Sequence, residues 1–160
     1  MNLQPIIKHS KEKKLIGIQT SMSLKKSKYI ELWSRFMPRR KEITNQISAA
    51  IFDLQIYNNS YFKNFKPTHE FEKWVAVEVA TFDTIPLDME CFTLKAGNYA
   101  VFNYKGLNTD TTIFKYIYGE WLGISEFEID DRPHFQVLGE NYKNNDPNSE
   151  EEIWIPIKNN

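Results

Sequence analysis

Two stretches set an acid and an indole at alternate positions: EEIWIPIK at residues 151–158 and FEKWVAVEV at residues 71–79. Side chains two apart on a strand share a face. Ile153, Ile155 and Ile157 therefore point one way, and Glu152, Trp154 and Pro156 the other. In the earlier stretch Phe71, Lys73, Val75, Val77 and Val79 share one side, and Glu72, Trp74, Ala76 and Glu78 the other. The aliphatic side is the natural seat for helices. A plain solvent face calls for Glu without Trp, and a plain core face for the reverse; a half-wet concave face holds both. Such a face suits a cation. Aromatic rings contribute roughly 0.5–2 kcal/mol of cation–π attraction, and Glu152 supplies the countercharge. An unpaired carboxyl group buried there instead has its pKa raised by desolvation and works as a general acid or base. The residues leave both states open, and they leave Glu151 and Glu78 as rivals to Glu152. The candidate ligand-binding set is Glu152, Trp154, Trp74, Glu78, Tyr104, Tyr118 and Trp121, with Tyr99 and Tyr116 as further wall residues.

Other chemistries find no support. His9, His69 and His134 lack ligand spacing, and with a lone cysteine they point away from a metal site. The six glycines match no phosphate-binding fingerprint, and no serine sits in a nucleophile elbow. No cofactor is expected. Cys91 is expected to be a core thiol. His134, following Pro133 at a strand start, is expected to be half-exposed.

The elements that must position these residues follow from pattern. LIGIQTSMSL (15–24) alternates as a strand. Ser27 begins a helix with Ile30, Trp33, Phe36 and Met37 as its apolar face, ended by Pro38, with 41–48 as a short continuation. Strands follow at 50–58 and 71–80, with 82–89 as a connector. In the second half, Ala96-Gly97-Asn98 reads as a turn and Tyr99–Tyr104 as a strand. A helix carrying Ile113, Ile117, Trp121 and Leu122 is closed by Gly123. Strands at 134–141 and 151–158 complete the chain, and Glu126–Asp131 reads as a solvated acidic loop. Both halves run strand, helix, strand, strand, with pseudo-repeats at about 12–82 and 90–158. Half-size repeats bury their sheets by pairing. The expected fold is α+β: antiparallel sheets, helices on one side and a ligand cleft between the halves.

The chain has 160 residues, which suggests one domain, 1–160. Its net charge of −1 gives no field for nucleic acid. One cysteine excludes an internal disulfide and fits a reducing compartment. No apolar run approaches about 20 residues. A cytoplasmic protein without membrane or direct nucleic-acid contact is expected. Aromatic residues make up 14% of the chain, which suits a flat ligand.

GNYAVFNYKG, IYGEWLGISEFEIDDRPHFQVLG and EEIWIPIK, in this order, resemble the GyrI-like family, the effector-binding domain of AraC-type and MerR-type multidrug regulators. IELWSRFM resembles that family's first helix. The resemblance runs from about Leu15 to Lys158. It implies two strand–helix–strand–strand units around a cleft that takes hydrophobic, often cationic molecules, and it carries the pocket acid onto Glu152. Some relatives are hydrolases of strained cyclic compounds, so it also implies Glu152 as acid or base in an enzymatic alternative. Others inhibit gyrase, which offers a protein-interaction alternative. In regulators a DNA-binding domain precedes the module; the residues before Leu15 are too few to hold one, so none is expected here.

Overall fold

The computed structural model describes residues 3–160. Ile6–Ser10 (β1) and Lys13–Ser23 (β2) open the chain, followed by the helix Tyr29–Phe36 (α1) and a 3-10 turn Met37–Glu42. Ile51–Ile56 (β3), Glu70–Val79 (β4), Glu90–Leu94 (β5) and Gly97–Lys105 (β6) come next. A second helical segment consists of Thr112–Tyr116 (α2), a π-helical turn Ile117–Trp121 and the short Leu122–Ile124 (α3). Phe127–Ile129 (β7), His134–Leu138 (β8) and Glu150–Asn159 (β9) finish it. The α+β class is as expected. The halves share an order: β2–α1–β3–β4 and β6–α2–β8–β9.

Every ladder is antiparallel, in the order β1-β6-β9-β8-β3-β4-β2-β5, with β7 added on β9. The halves meet where β3 pairs β8, from Ile51↔Leu138 to Gln55↔His134. They meet again through a long ribbon. β1 pairs β6 from Ile6↔Val101 to Ser10↔Gly97, and β2 pairs β5 from Lys13↔Leu94 to Gly17↔Glu90, in one unbroken register. Only Lys11-Glu12 and Lys95-Ala96 separate the two ladders, so the pairing path returns on itself and the sheet encloses an inner face. Gly17 is required on this ribbon. A Cβ there would lie 2.1 Å from the Val75 carbonyl oxygen.

Alternation sends two sets of side chains to opposite sides of this sheet. The outer, helix-covered side carries Ile16, Ile18, Val75 and Val77 under α1, and Ala100, Phe102, Ile153, Ile155 and Ile157 under α2. The inner side carries Leu15, Phe52, Leu54, Trp74, Ala76, Tyr99, Val101 and Phe135, with Trp154 packed against them. Phe135 stacks on Trp154 at 5.2 Å and on Phe52 at 5.7 Å. The inner face is thus a packed interior, where a half-wet concavity was expected.

Several local expectations are corrected. Ile30 is 84% exposed, while Leu32 and Phe36 are buried; the packed face runs through Tyr29, Leu32, Trp33 and Phe36, and at about 3.6 residues per turn Ile30 falls outside it. Gly123 falls inside α3, and the helical segment ends at Ser125, whose backbone turns extended. Residues 127–129 form a strand rather than a loop, because β9 outruns β8 and leaves Ile157–Asn159 to be paired. Pro156 stands at that handover, where its missing N–H is tolerated. His134 is buried and Cys91 is exposed: the first lies where β8 crosses under the aromatic loop after β3, the second on the outermost strand. Among the described residues no helix is long and apolar enough to cross a membrane.

Candidate functional site

The unusual residues of the outer side are polar ones. β3 alternates Phe52 and Leu54 inward with Asp53 and Gln55 outward; β8 presents Gln136 and His134, and β4 presents Lys73 beside Val75. All five are buried. Isolated buried charges and amides are costly unless satisfied, and these are. Lys73 forms an ion pair with Asp53. The Tyr29 hydroxyl donates to Asp53 Oδ2 at 2.6 Å. Gln55 Nε2 donates to Asp53 Oδ1 at 3.0 Å and to Gln136 Oε1 at 2.9 Å. The Lys73 ammonium lies 4.6 Å over the Tyr29 ring. Burial, followed by Asp53, pushes the Tyr29 phenol far up.

Aromatic rings frame this cluster on both sides. Tyr29 meets Trp33 at 6.0 Å, and Trp33 meets Tyr142 at 6.2 Å. Burial pushes Tyr142 up to about 12. Toward α2, Phe62 stacks on Tyr118 at 5.1 Å and on His134 at 5.3 Å, and Tyr57 meets His134 edge-on at 5.0 Å. The Tyr118 hydroxyl hydrogen-bonds His134 Nδ1 at 2.7 Å. Burial, with Arg132 adding to it, holds His134 down to about 3, so its ring is neutral. A cavity of about 780 Å³ opens on this side, lined by Tyr57, Phe62, Tyr118 and His134 among others.

Glu151 completes the cluster from β9. It shares the outer side with Ile153 and stands opposite Tyr104. Burial pushes its carboxyl group up to about 7; Asp53 adds to the rise and Lys73 opposes it. A second cavity, of about 370 Å³, is lined by Glu151, Glu152, Tyr104 and Val137 among others.

The three rival acids have different surroundings. Glu78 is 3.9 Å from the Lys13 ammonium. Glu152 accepts the Trp154 indole N–H at 3.2 Å, as Glu72 accepts that of Trp74 at 2.6 Å. Glu151 makes no hydrogen bond or ion pair with the described residues. The repeated acid–indole pattern is therefore a matched pair of internal hydrogen bonds, one on each closing strand. Of the expected set, Tyr104 joins Glu151 and Glu152 at the smaller cavity, and Tyr118 lines the larger one. Trp121 is buried beneath α2 against Phe102 at 5.1 Å. Trp74 and Trp154 face the packed interior. Tyr29, Asp53, Lys73, Gln55, Gln136, Tyr142 and His134 were not anticipated as site residues. Their signal was present: Asp, Gln and Lys at positions that strand alternation assigns to a helix-covered face.

A sheet covered by two helices, with a polar floor and aromatic walls between its halves, is the build of a small-molecule-binding module. A family model for the GyrI-like small molecule binding domain matches residues 3–158, and the chain belongs to that family. It is 29% identical over 133 residues to the transcriptional regulator BrlR of Pseudomonas aeruginosa, a match taking in 79% of this chain and 45% of BrlR. The chain thus spans less than half the length of that curated relative. Among solved structures, the C-terminal domain of EcmrR has a TM-score of 0.73 at 16% identity, covering all of both chains. The protein SAV2435, solved bound to tetraphenylphosphonium, has a TM-score of 0.71 at 16% identity, covering 99% of this chain and 94% of that one. A hydrolase from Listeria innocua has a TM-score of 0.60 at 8% identity, covering 97% and 92%.

Proposed function

We propose that this chain is an effector-sensing module for lipophilic, aromatic monocations, held in the groove between α1 and α2 with the positive charge at Glu151. The observation that carries this reading is the half-buried Glu151 carboxyl group beside a cavity, unpartnered among the described residues, with Tyr104 opposite it and Tyr29 and Tyr142 within electrostatic reach. A carboxylate among rings in a partly dry setting favours a cation over a neutral ligand. Tyr104 and Tyr118 are retained from the expected set as wall residues, and the acid passes from Glu152 to its neighbour. The tetraphenylphosphonium seen on SAV2435 supports the ligand class, and the regulators among the relatives support the sensing role. The exposed lone thiol of Cys91 supports a reducing, cytoplasmic setting.

Titration with tetraphenylphosphonium tests this, read by tryptophan fluorescence, because Trp33 packs on Tyr29 and Tyr142. Saturable quenching is expected. A linear, unsaturable response to every member of a panel of aromatic cations would overturn the reading.

A second reading rests on the same group. With a pKa near 7 Glu151 exists in both forms at neutral pH, as a general acid or base must. Hydrolysis of a reactive cyclic electrophile, abolished in Glu151→Gln, would establish an enzyme; no turnover by the wild type would dismiss it.

A further inference from the structure

Within electrostatic reach of Glu151 lies a second, buried acid, Asp53, whose positive partner is already supplied by the chain. We propose that Lys73 is a built-in occupant of an ammonium cage, and that it limits the groove to ligands bearing one positive charge. This deepens the ligand reading above and rests on it.

Lys73 occupies an unusual position for a charged residue. It stands on the valine face of β4, 7% exposed, in a row continued by Val75, Val77 and Val79. Burying an ion pair commonly gains nothing over apolar residues of the same volume, so stability alone does not explain a lysine here. Its ammonium group has cage-like surroundings. Asp53 supplies the carboxylate and the Tyr29 ring supplies a face at 4.6 Å. The cage is itself held in place: the Tyr29 hydroxyl fixes one carboxylate oxygen, and Gln55, anchored on Gln136, fixes the other. An acid and an aromatic face in a water-poor setting are the features that recognise a free ammonium or phosphonium ion. Here the chain's own ammonium occupies them.

The charge count follows. Asp53, Lys73 and Glu151 act on one another electrostatically, and the titratable groups beside them are phenols: Tyr29, Tyr57 and Tyr142 beside Asp53, and Tyr29, Tyr104 and Tyr142 beside Glu151. Two carboxyl groups and one ammonium leave room for one further positive charge. A ligand with two closely spaced charges would bring the second against Lys73. Without Lys73, the same groove would offer two sites.

The test measures tetraphenylphosphonium affinity by calorimetry in wild type, Lys73→Gln and Asp53→Asn, with neutral triphenylphosphine oxide as a control. Removing the internal ammonium is expected to tighten cation binding about tenfold. Removing its carboxylate leaves Lys73 unanswered and is expected to weaken cation binding about tenfold, with little effect on the neutral probe. If both variants weaken binding, if neither changes it, or if cation and neutral probe shift together, the proposal is overturned. Should Lys73→Gln fail to fold, Asp53→Asn with the two probes decides alone: equal loss for both overturns it. A wild type that binds no cation removes the ligand reading and this inference with it, whereas a binding wild type with the wrong variant pattern removes only the inference.

Discussion

Adjacent glutamates on β9 meet opposite environments because a strand turns successive side chains to opposite faces. Glu152 goes to the inner side and is engaged by the Trp154 indole. Glu151 goes to the helix-covered side, where its carboxyl group makes no hydrogen bond or ion pair with the described residues. Its pKa is raised above the ordinary glutamate value, to about 7, and the sign of the linkage follows. The unfolded chain loses this proton near pH 4.5, the folded chain near 7, so the favourable contribution is present at low pH and is lost as pH rises through about 7. Glu151→Gln is therefore expected to flatten the stability profile between about pH 4.5 and 7 and to raise the melting temperature at pH 8. Thermal denaturation at a series of pH values checks this; a variant less stable than wild type at pH 8 would contradict it. The proposed cation binding is expected to run the other way, strengthening as pH rises through about 7. The acid itself was legible only as one of three rivals, because alternation names the face and not the partner each carboxylate finds there. Lys73 was written plainly as a lysine among valines, and it reads as a site residue only once the valine face is known to lie under a helix.

At the scale of elements, the strands were the most legible part. Strict alternation in 71–79 and 151–158 fixed which residues share a side, and the structure keeps those sides. The helices were less legible. Ile30 fits the apolar spacing yet stands in solvent, because the face that packs on the sheet runs through Tyr29, Leu32 and Phe36. The π-helical turn that carries Tyr118 toward His134 has no sequence signature of its own. β8 is the element that joins the two halves and supplies both sides of the molecule: Gln136 and His134 to the site, Phe135 to the interior. Phe135→Ala is expected to cost about 3–5 kcal/mol, since its ring is fully buried between Phe52, Tyr99 and Trp154. Urea denaturation measures this, and a loss below about 1 kcal/mol would mean that the interior is loosely packed.

For the whole molecule, ring closure decides where a ligand can go. Both halves present an acid and an indole inward, which the sequence pattern suggests as a pocket. The continuous β1–β2/β5–β6 ribbon draws those faces together, and aromatic residues fill the space between them. That closure depends on partners far apart in sequence, so no local pattern announces it. The proposed groove accordingly lies on the other side of the sheet, where the buried polar cluster stands. Gly17→Ala tests the closure, because its Cβ would press on the Val75 carbonyl and Ala76. It is expected to destabilise by about 2–3 kcal/mol, again by urea denaturation; a neutral outcome would mean that the ribbon does not bind β4 as closely as described.

The most direct measurement compares two single-atom-scale changes on neighbouring residues. Calorimetric titration of Glu151→Gln and Glu152→Gln with tetraphenylphosphonium at pH 8 should show affinity reduced about tenfold or more in the first and close to wild type in the second. Equal affinities in all three proteins, or loss confined to Glu152→Gln, would contradict a groove on the helix-covered side.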